Sequence, residues 1–374
     1  MTFRQVHRWV SLSVAAIWLI QAITGTLSVF RWEIDDWTVA GEHVPVDLAA
    51  VGAKVDALTA SPNTDVSSVW TSGTAAGRFD VHYTTADQYR VMRIDGQGRT
   101  LRDRSGEQVA AQGAIWDTIT SVHTSLKLGD AGEWLIGLSG LLLISNIILG
   151  LKLAWPKRGT WRKTLLTKPA GGPVAQLYGW HRKVGLWFAF PALLTVTAGV
   201  SMVFADALER GLSAEVAEPT SSVKPGDDRA IGLAAALQTA LATYPGGSFS
   251  GVSLPDEEEP WYRVRLRNSG EVPRKWGTTI VWVSSNDGQV LGTYNAASPK
   301  PGRAVTDSMY AIHTGQAGGA IGRIIVLAIG LCLLTLIALG VPLWAKRRSA
   351  AKKSAGGAAR QQPASPEGSV QTQD

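Results

Sequence analysis

The chain has 374 residues, 45% of them apolar, with 36 Lys and Arg against 30 Asp and Glu, a net charge of +6 and one cysteine, Cys332. A lone thiol excludes a disulfide framework and a thiol redox pair. The positive balance does not describe a nucleic-acid-binding stripe either, because the basic residues gather beside apolar runs.

In chain order, Arg4, His7 and Arg8 lead into an apolar run at 10–30, and three more follow at 134–155, 184–204 and 321–344. Each has about 20 residues, the length that crosses a hydrocarbon core of about 30 Å. In a soluble protein one such run would be a buried core helix, but four with basic flanks read as membrane spans. The first also resembles a secretory signal in outline. It is too long for a signal core, Arg31, Glu33, Asp35 and Asp36 follow it, and its counterpart lies mid-chain, so it reads as a retained anchor over 1–30.

Residues 31–114 read as a soluble α+β module. Apolar residues from Asp47 to Leu58 recur at helical spacing with Asp47 as N-cap, and alternating strands at 78–83 and 89–94 follow, with turn signals at Asp95-Gly96 and Gln97-Gly98. Residues 115–155 then hold Asp117, His123 and the second span. The loop 156–180 carries Lys157, Arg158, Arg162, Lys163 and Lys168 and no acid. The third span occupies 181–204 and a second module 205–304. That module has a helix from Asp228, strands at 261–267 and 278–283, a turn at Asn286-Asp287-Gly288, and an acidic proline-bounded loop from Pro255 to Pro260. Residues 305–345 hold Asp307, His313 and the fourth span. The tail 346–374 opens with Lys346, Arg347 and Arg348 and is expected to be disordered beyond them. The positive-inside rule puts both termini and the central loop in the cytoplasm and both modules outside.

This order is written twice. Asp117-Thr-Ile-Thr-Ser-Val-His123-Thr is matched by Asp307-Ser-Met-Tyr-Ala-Ile-His313-Thr. His7-Arg8 is matched by His181-Arg182, and a Gly follows each of those histidines at eighteen residues, Gly25 and Gly199. The spans after the Asp-His strings both close on a Gly-to-Trp segment, from Gly150 and from Gly340, and then basic residues. Four matches in register indicate an internal duplication.

A span opening on His-Arg, an α+β module, and a His-bearing approach to a span ending in Gly, Trp and basic residues resemble the PepSY-associated transmembrane family over roughly residues 1–348. The fold class is then a membrane α-helical protein, four transmembrane helices in two repeats, with two extracytoplasmic α+β PepSY-like modules. The resemblance implies a bacterial inner-membrane protein carrying b-type haem and delivering electrons to a ferric siderophore or other ferric chelate outside.

The residues support that implication independently. In a duplicated chain of this topology His7 and His181 face each other at the cytoplasmic level and His123 and His313 at the outer level, across an axis along the membrane normal. Facing imidazoles from two helices are the axial ligand set of a bis-histidine haem. Two b-type haems are expected, with electrons entering at the inner one and leaving from the outer one. A single interfacial His is otherwise an ordinary headgroup-level residue, and it is the symmetry of the four that argues for ligation. His43 and His82 have no counterparts and read as surface residues. Asp117 and Asp307 read as N-caps of the helices that present the outer histidines. Trp18 and Trp187 read as packing residues, or as stations on an electron path.

Hydrolase, zinc-peptidase, phosphate-loop and dinucleotide signatures are absent from the sequence. The electron donor is therefore expected to be a separate cytoplasmic reductase or a membrane quinol. Two other readings stay open: a regulatory protein whose modules bind a peptide or peptidase, and a transporter for an iron chelate.

Overall fold

The protein is described by a computed structural model covering residues 1–73, 77–109, 114–219 and 231–360, with backbone alone for 114 and 352–360. The first half runs α1 (Phe3–Ser28), α2 (Arg31–Trp37), α3 (Leu48–Thr59), β1 (Thr64–Thr71), β2 (Arg78–Thr85), β3 (Gln88–Asp95), β4 (Thr100–Ser105), a single turn α4 (Gly106–Gln108), α5 (Ala114–Ser125) and α6 (Gly129–Ala154). A short connecting helix, α7 (Trp161–Leu166), follows. The second half then runs α8 (Pro173–Val203), α9 (Ala205–Leu212), α10 (Leu233–Thr243), β5 (Ser248–Ser253), β6 (Trp261–Arg267), β7 (Thr279–Ser284), β8 (Val290–Tyr294), α11 (Pro301–His313) and α12 (Gly319–Arg360).

Among the described residues, four helical stretches are long and apolar enough to cross a membrane: α1, α6, α8 and Gln316–Ala351. The shortest have 26 residues, about 39 Å at 1.5 Å per residue, more than a hydrocarbon core needs. Leu138, Leu142, Phe190, Leu194, Ile324 and Leu331 stand exposed on the outside of the bundle. Helical backbone satisfies its own hydrogen bonds, so such a surface is stable against lipid.

The helices outrun the apolar runs that mark them. A capping box of Thr2 and Gln5 starts α1 at Phe3, and Pro173 in the first turn starts α8, so His7 and His181 lie inside helices instead of preceding them. At the other terminus α12 continues to Arg360 where disorder was expected after Arg348. Alanine and lysine in that stretch are strong helix formers, and no proline interrupts before Pro363. Residues 361–374, like the start of the expected helix at Asp228, lie outside the described residues.

The soluble segments differ from two separate modules. Their strands join into one antiparallel eight-stranded sheet, ordered β4-β3-β2-β1-β5-β6-β7-β8. The seam is β1 on β5, with Ser68 opposite Ser253, Val69 opposite Val252 and Trp70 opposite Gly251. A Cβ on Gly251 would fall 2.2 Å from the Trp70 ring, so only glycine lets the indole lie across the seam. Val51 and Val55 of α3, Leu233 and Leu237 of α10, and Val69, Val81, Val252 and Val264 of the sheet form one continuous core. α10 has no side-chain cap of its own; Asp56 of α3 accepts its first N–H, from Leu233, at 2.8 Å. One half therefore caps a helix of the other.

Because side chains alternate across a strand, the opposite face of this sheet carries Trp70, Asp80, Arg93 and Arg265, and it turns toward the bundle. α2 anchors it there. Asp35 pairs with Arg93 at 2.9 Å and Asp36 with Arg78 at 2.8 Å, and Gly73, with φ of +66°, gives the Asp36 carboxylate its space. Arg323 of α12 reaches back to Glu33 of α2 in a two-pronged contact of 2.5 and 2.7 Å. The sheet is thereby tied to the first and last spans together.

Candidate functional site: two histidine pairs in one cavity

The bundle encloses a cavity of about 1130 Å³, above the roughly 300–1,000 Å³ of an ordinary ligand pocket. It runs from Arg4, Arg8 and Arg347 at the far end to Arg31, Trp32 and Tyr310 below the sheet. All four sequence-predicted histidines line it. His7 of α1 faces His181 of α8 with ring centroids 6.5 Å apart, and His123 of α5 faces His313 of α11 at 6.0 Å. The structure thus brings together the two pairs read from the sequence, one toward each end of the cavity.

Each imidazole is seated against a glycine on a neighbouring span. A Cβ on Gly25 would lie 2.9 Å from His123, on Gly199 2.6 Å from His313, on Gly150 3.1 Å from His7 and on Gly340 3.3 Å from His181. The repeated glycines therefore do more than let helices approach; they open a notch that one imidazole fills. The notch also exposes the carbonyl one turn earlier. His7 Nδ1 bonds to Asn146 O at 3.2 Å, His181 Nδ1 to Leu336 O at 3.1 Å and His313 Nδ1 to Thr195 O at 2.9 Å. His123 Nδ1 uses the Gln21 backbone and the Thr24 hydroxyl, 3.0 Å away, while that hydroxyl donates to Ile20 O. In every case the acceptor residue is four positions before the glycine. A carbonyl acceptor fixes the proton on Nδ1, which leaves the Nε2 lone pair free to ligate a metal.

The centroid separations, 6.5 and 6.0 Å, are close to those of two imidazoles held by one metal ion. Imidazole–metal bonds are about 2.0–2.1 Å for zinc, and the ring centre lies about 1.2 Å beyond the nitrogen, so two imidazoles sharing one ion would have centroids roughly 6.4 Å apart. Among the described residues no three His, Cys, Asp or Glu side chains converge as a bare ion would need. Two facing imidazoles with open space around them suit a metal that brings its own equatorial donors, as haem iron does. The buried Gln21 Nε2 has no hydrogen-bond partner, and the residue lines the cavity. Such an orphaned group indicates a polar ligand or water in the lumen.

Other sequence expectations are corrected. Asp307 is not an N-cap: it sits midway along α11, buried, paired with Arg303 at 2.8 Å and accepting from the Tyr294 hydroxyl. Asp117 lies inside the first turn of α5, where a carboxylate still favours the helix dipole; burial raises its pKa against the pull of Arg31 and Arg104. His43 is exposed, in line with its reading as a surface residue, and pairs with Asp36 at 3.2 Å. His82 is half-buried and hydrogen-bonded to the Tyr89 hydroxyl at 2.6 Å. Trp18 is buried between the two levels, lines the cavity and donates to Ser139 O at 3.1 Å, whereas Trp187 points outward.

Sequence reasoning missed the roof over the sheet end of the cavity. The β6–β7 connection is long, where the corresponding β2–β3 connection is a tight turn at Ala86 and Asp87. This loop sends Arg274 over the Tyr310 ring at 4.7 Å and Lys275 over the Trp32 ring at 5.4 Å. Lys275 N–H also donates to Gln316 Oε1 at 2.5 Å, and Trp276 packs edge-on to Trp32 and Trp70. The signal was the unequal length of the two halves, but the cations within it have no counterpart to mark them.

Comparison with curated proteins finds no match. A family profile does match, and it spans the bundle, the sheet and all four histidines: from residue 4 to residue 347 the chain belongs to the family described as the PepSY-associated TM region.

Proposed function

We propose that this membrane protein is a two-haem electron carrier of the bacterial inner membrane that reduces a ferric siderophore or other ferric chelate on the extracytoplasmic side. In this reading the chain is a duplicated unit, its termini and 156–180 loop lie in the cytoplasm, and the fused sheet lies outside. The observation that carries it is the pair of facing imidazole couples in one cavity, 6.5 and 6.0 Å between centroids, each ring with its Nδ1 already engaged. Bound haem supplies reversible one-electron chemistry that the chain's own side chains lack.

The residues supply everything else. His7 and His181 hold one level and His123 and His313 the other, with Gly150, Gly340, Gly25 and Gly199 fixing each ring's seat. Carbonyl acceptors on Nδ1 raise the basicity of Nε2 and hold the tautomer. The helices exclude bulk water from the lumen, while the sheet and its loop shape the mouth where a chelate approaches. One electron taken up by the chelate converts Fe(III) to Fe(II), which hard oxygen donors hold less firmly, so reduction promotes release. The donor is a cytoplasmic reductase or a membrane quinol.

The test is spectroscopic. Protein purified in mild detergent is expected to be red, with a dithionite-reduced b-type spectrum and two haems per chain by pyridine haemochrome assay. A folded, colourless preparation from haem-replete cells would overturn the assignment and favour a peptide-binding or transport role.

A further inference from the structure

The roof over the sheet end carries more positive charge than its surroundings neutralise. Arg31, Arg265, Arg274 and Lys275 converge on the Trp32, Trp70 and Tyr310 rings. Among the described residues none of the four cations has a carboxylate within ion-pair distance. Arg274 Nε is buried with no hydrogen-bond partner. The nearby acids are committed elsewhere. Glu271 accepts from the backbone N–H groups of Asn268, Thr278 and Thr279, which ties the loop into shape, and Asp307 serves Arg303 and Tyr294. Burial and the neighbouring guanidinium of Arg274 bring Arg265 down to about 10, and burial with Arg267 nearby brings Lys275 down to about 8. Lys275 Nζ donates to the Gly73 carbonyl, but a carbonyl carries no countercharge; holding cations together without carboxylate partners costs free energy, and an incoming anion offsets it.

We infer that this roof is the docking site for a net-negative, carboxylate-bearing ferric chelate, with Arg265, Arg274 and Lys275 taking its carboxylates beside the aromatic floor of Trp32 and Tyr310. The inference rests on the electron-transfer reading and gives its substrate a charge class. Arg31, which lines the cavity and donates to the Thr120 hydroxyl, sits between the docked anion and the His123–His313 level. Guanidinium suits the task because its planar donor fork matches a carboxylate in a bidentate contact. The asymmetry of the two halves then has a purpose: the long loop exists only where the chelate docks.

The test uses redox-inert gallium complexes, so that binding is read without turnover. Full-length haem-loaded protein is titrated with gallium citrate and with a cationic gallium trihydroxamate, following tryptophan fluorescence. Gallium citrate is expected to bind and the cationic complex not to. Arg274→Gln and Lys275→Gln are each expected to weaken citrate binding about tenfold, the consequence of losing a charge-assisted hydrogen bond, with the haem spectrum unchanged. Arg210→Gln, at an exposed cation on α9, is expected to leave binding alone. Equal binding of the cationic complex, or unaltered citrate binding in both roof variants, overturns the inference. Loss of haem, or a shifted potential of one haem, in roof variants that still bind citrate would mean the cations hold porphyrin carboxylates instead, and also overturns it. Charge-dependent citrate binding by a chain that carries no haem would support the anion site while removing the electron-transfer reading.

Discussion

A histidine in this bundle is set among three features it does not own: a missing Cβ opposite, a carbonyl one turn before that glycine, and the partner imidazole. His123→Ala or His313→Ala is expected to abolish the low-temperature spectral component of one haem and spare the other, and His7→Ala or His181→Ala the reverse. The notches make a sharper prediction, because they involve no ligand. Gly199→Leu places a side chain where the His313 ring now sits, 2.6 Å from the missing Cβ, and is expected to remove the same component as His313→Ala. Unchanged spectra in the glycine variant would separate ligand positioning from helix packing. The histidines and glycines were legible because the chain repeats them at matching intervals. The carbonyl acceptors were not, since a backbone oxygen leaves no mark in a sequence. Asp117 and Asp307 were misread because one acid does not locate a helix start: α5 is already helical at Ala114, before Asp117, and Pro301 opens α11 six residues before Asp307.

At the scale of elements, the seam strands were the hidden part. β1 and β5 hold Ser and Thr among their apolar residues, and only pairing with each other makes them the centre of the sheet. β2, β3, β6 and β7 alternate more openly and were read directly. Gly251→Leu drives a side chain into Trp70 and is expected to cost about 1–3 kcal/mol of stability, the range for overpacking a tight contact, measured by denaturant titration of the soluble part's tryptophan signal. The β6–β7 loop carries a pH effect. Lys275 has a folded-state pKa lowered to about 8, so its charge and its share of anion binding are present below that pH and decline as pH rises through it. Arg267, Arg93, Asp36, Asp80 and, from α2, Glu33 are charged groups that act on it. The unfolded chain keeps this proton to about 10.4, so stability rises with pH between the two values. A titration of gallium citrate affinity from pH 7 to 9 that stays flat in native protein would dissociate Lys275 from the site.

For the molecule as a whole, composition and run lengths sufficed to read a four-span membrane protein, and the doubled pattern sufficed to pair its histidines. They did not reveal that the soluble halves share one sheet and one core, because nothing local distinguishes an edge strand from a strand that will meet its counterpart across the chain. Fusion joins the two halves above the bundle, with the β1–β5 seam at the centre of the shared sheet.

The interval of eighteen residues from His7 to Gly25, and from His181 to Gly199, has a further meaning. At 3.6 residues per turn it is five full turns, so the two positions come back to the same azimuth about 27 Å apart. α1 and α8 therefore behave like camshafts, each timing a ligand at one storey against a socket at the other. Inserting one alanine after Ala15 or after Ala189 would advance the far portion of the shaft by about 100° and put one storey out of phase. A single added residue in the middle of a greasy helix, touching neither histidine pair, is thus expected to extinguish one of the two haem signals that the proposed function requires.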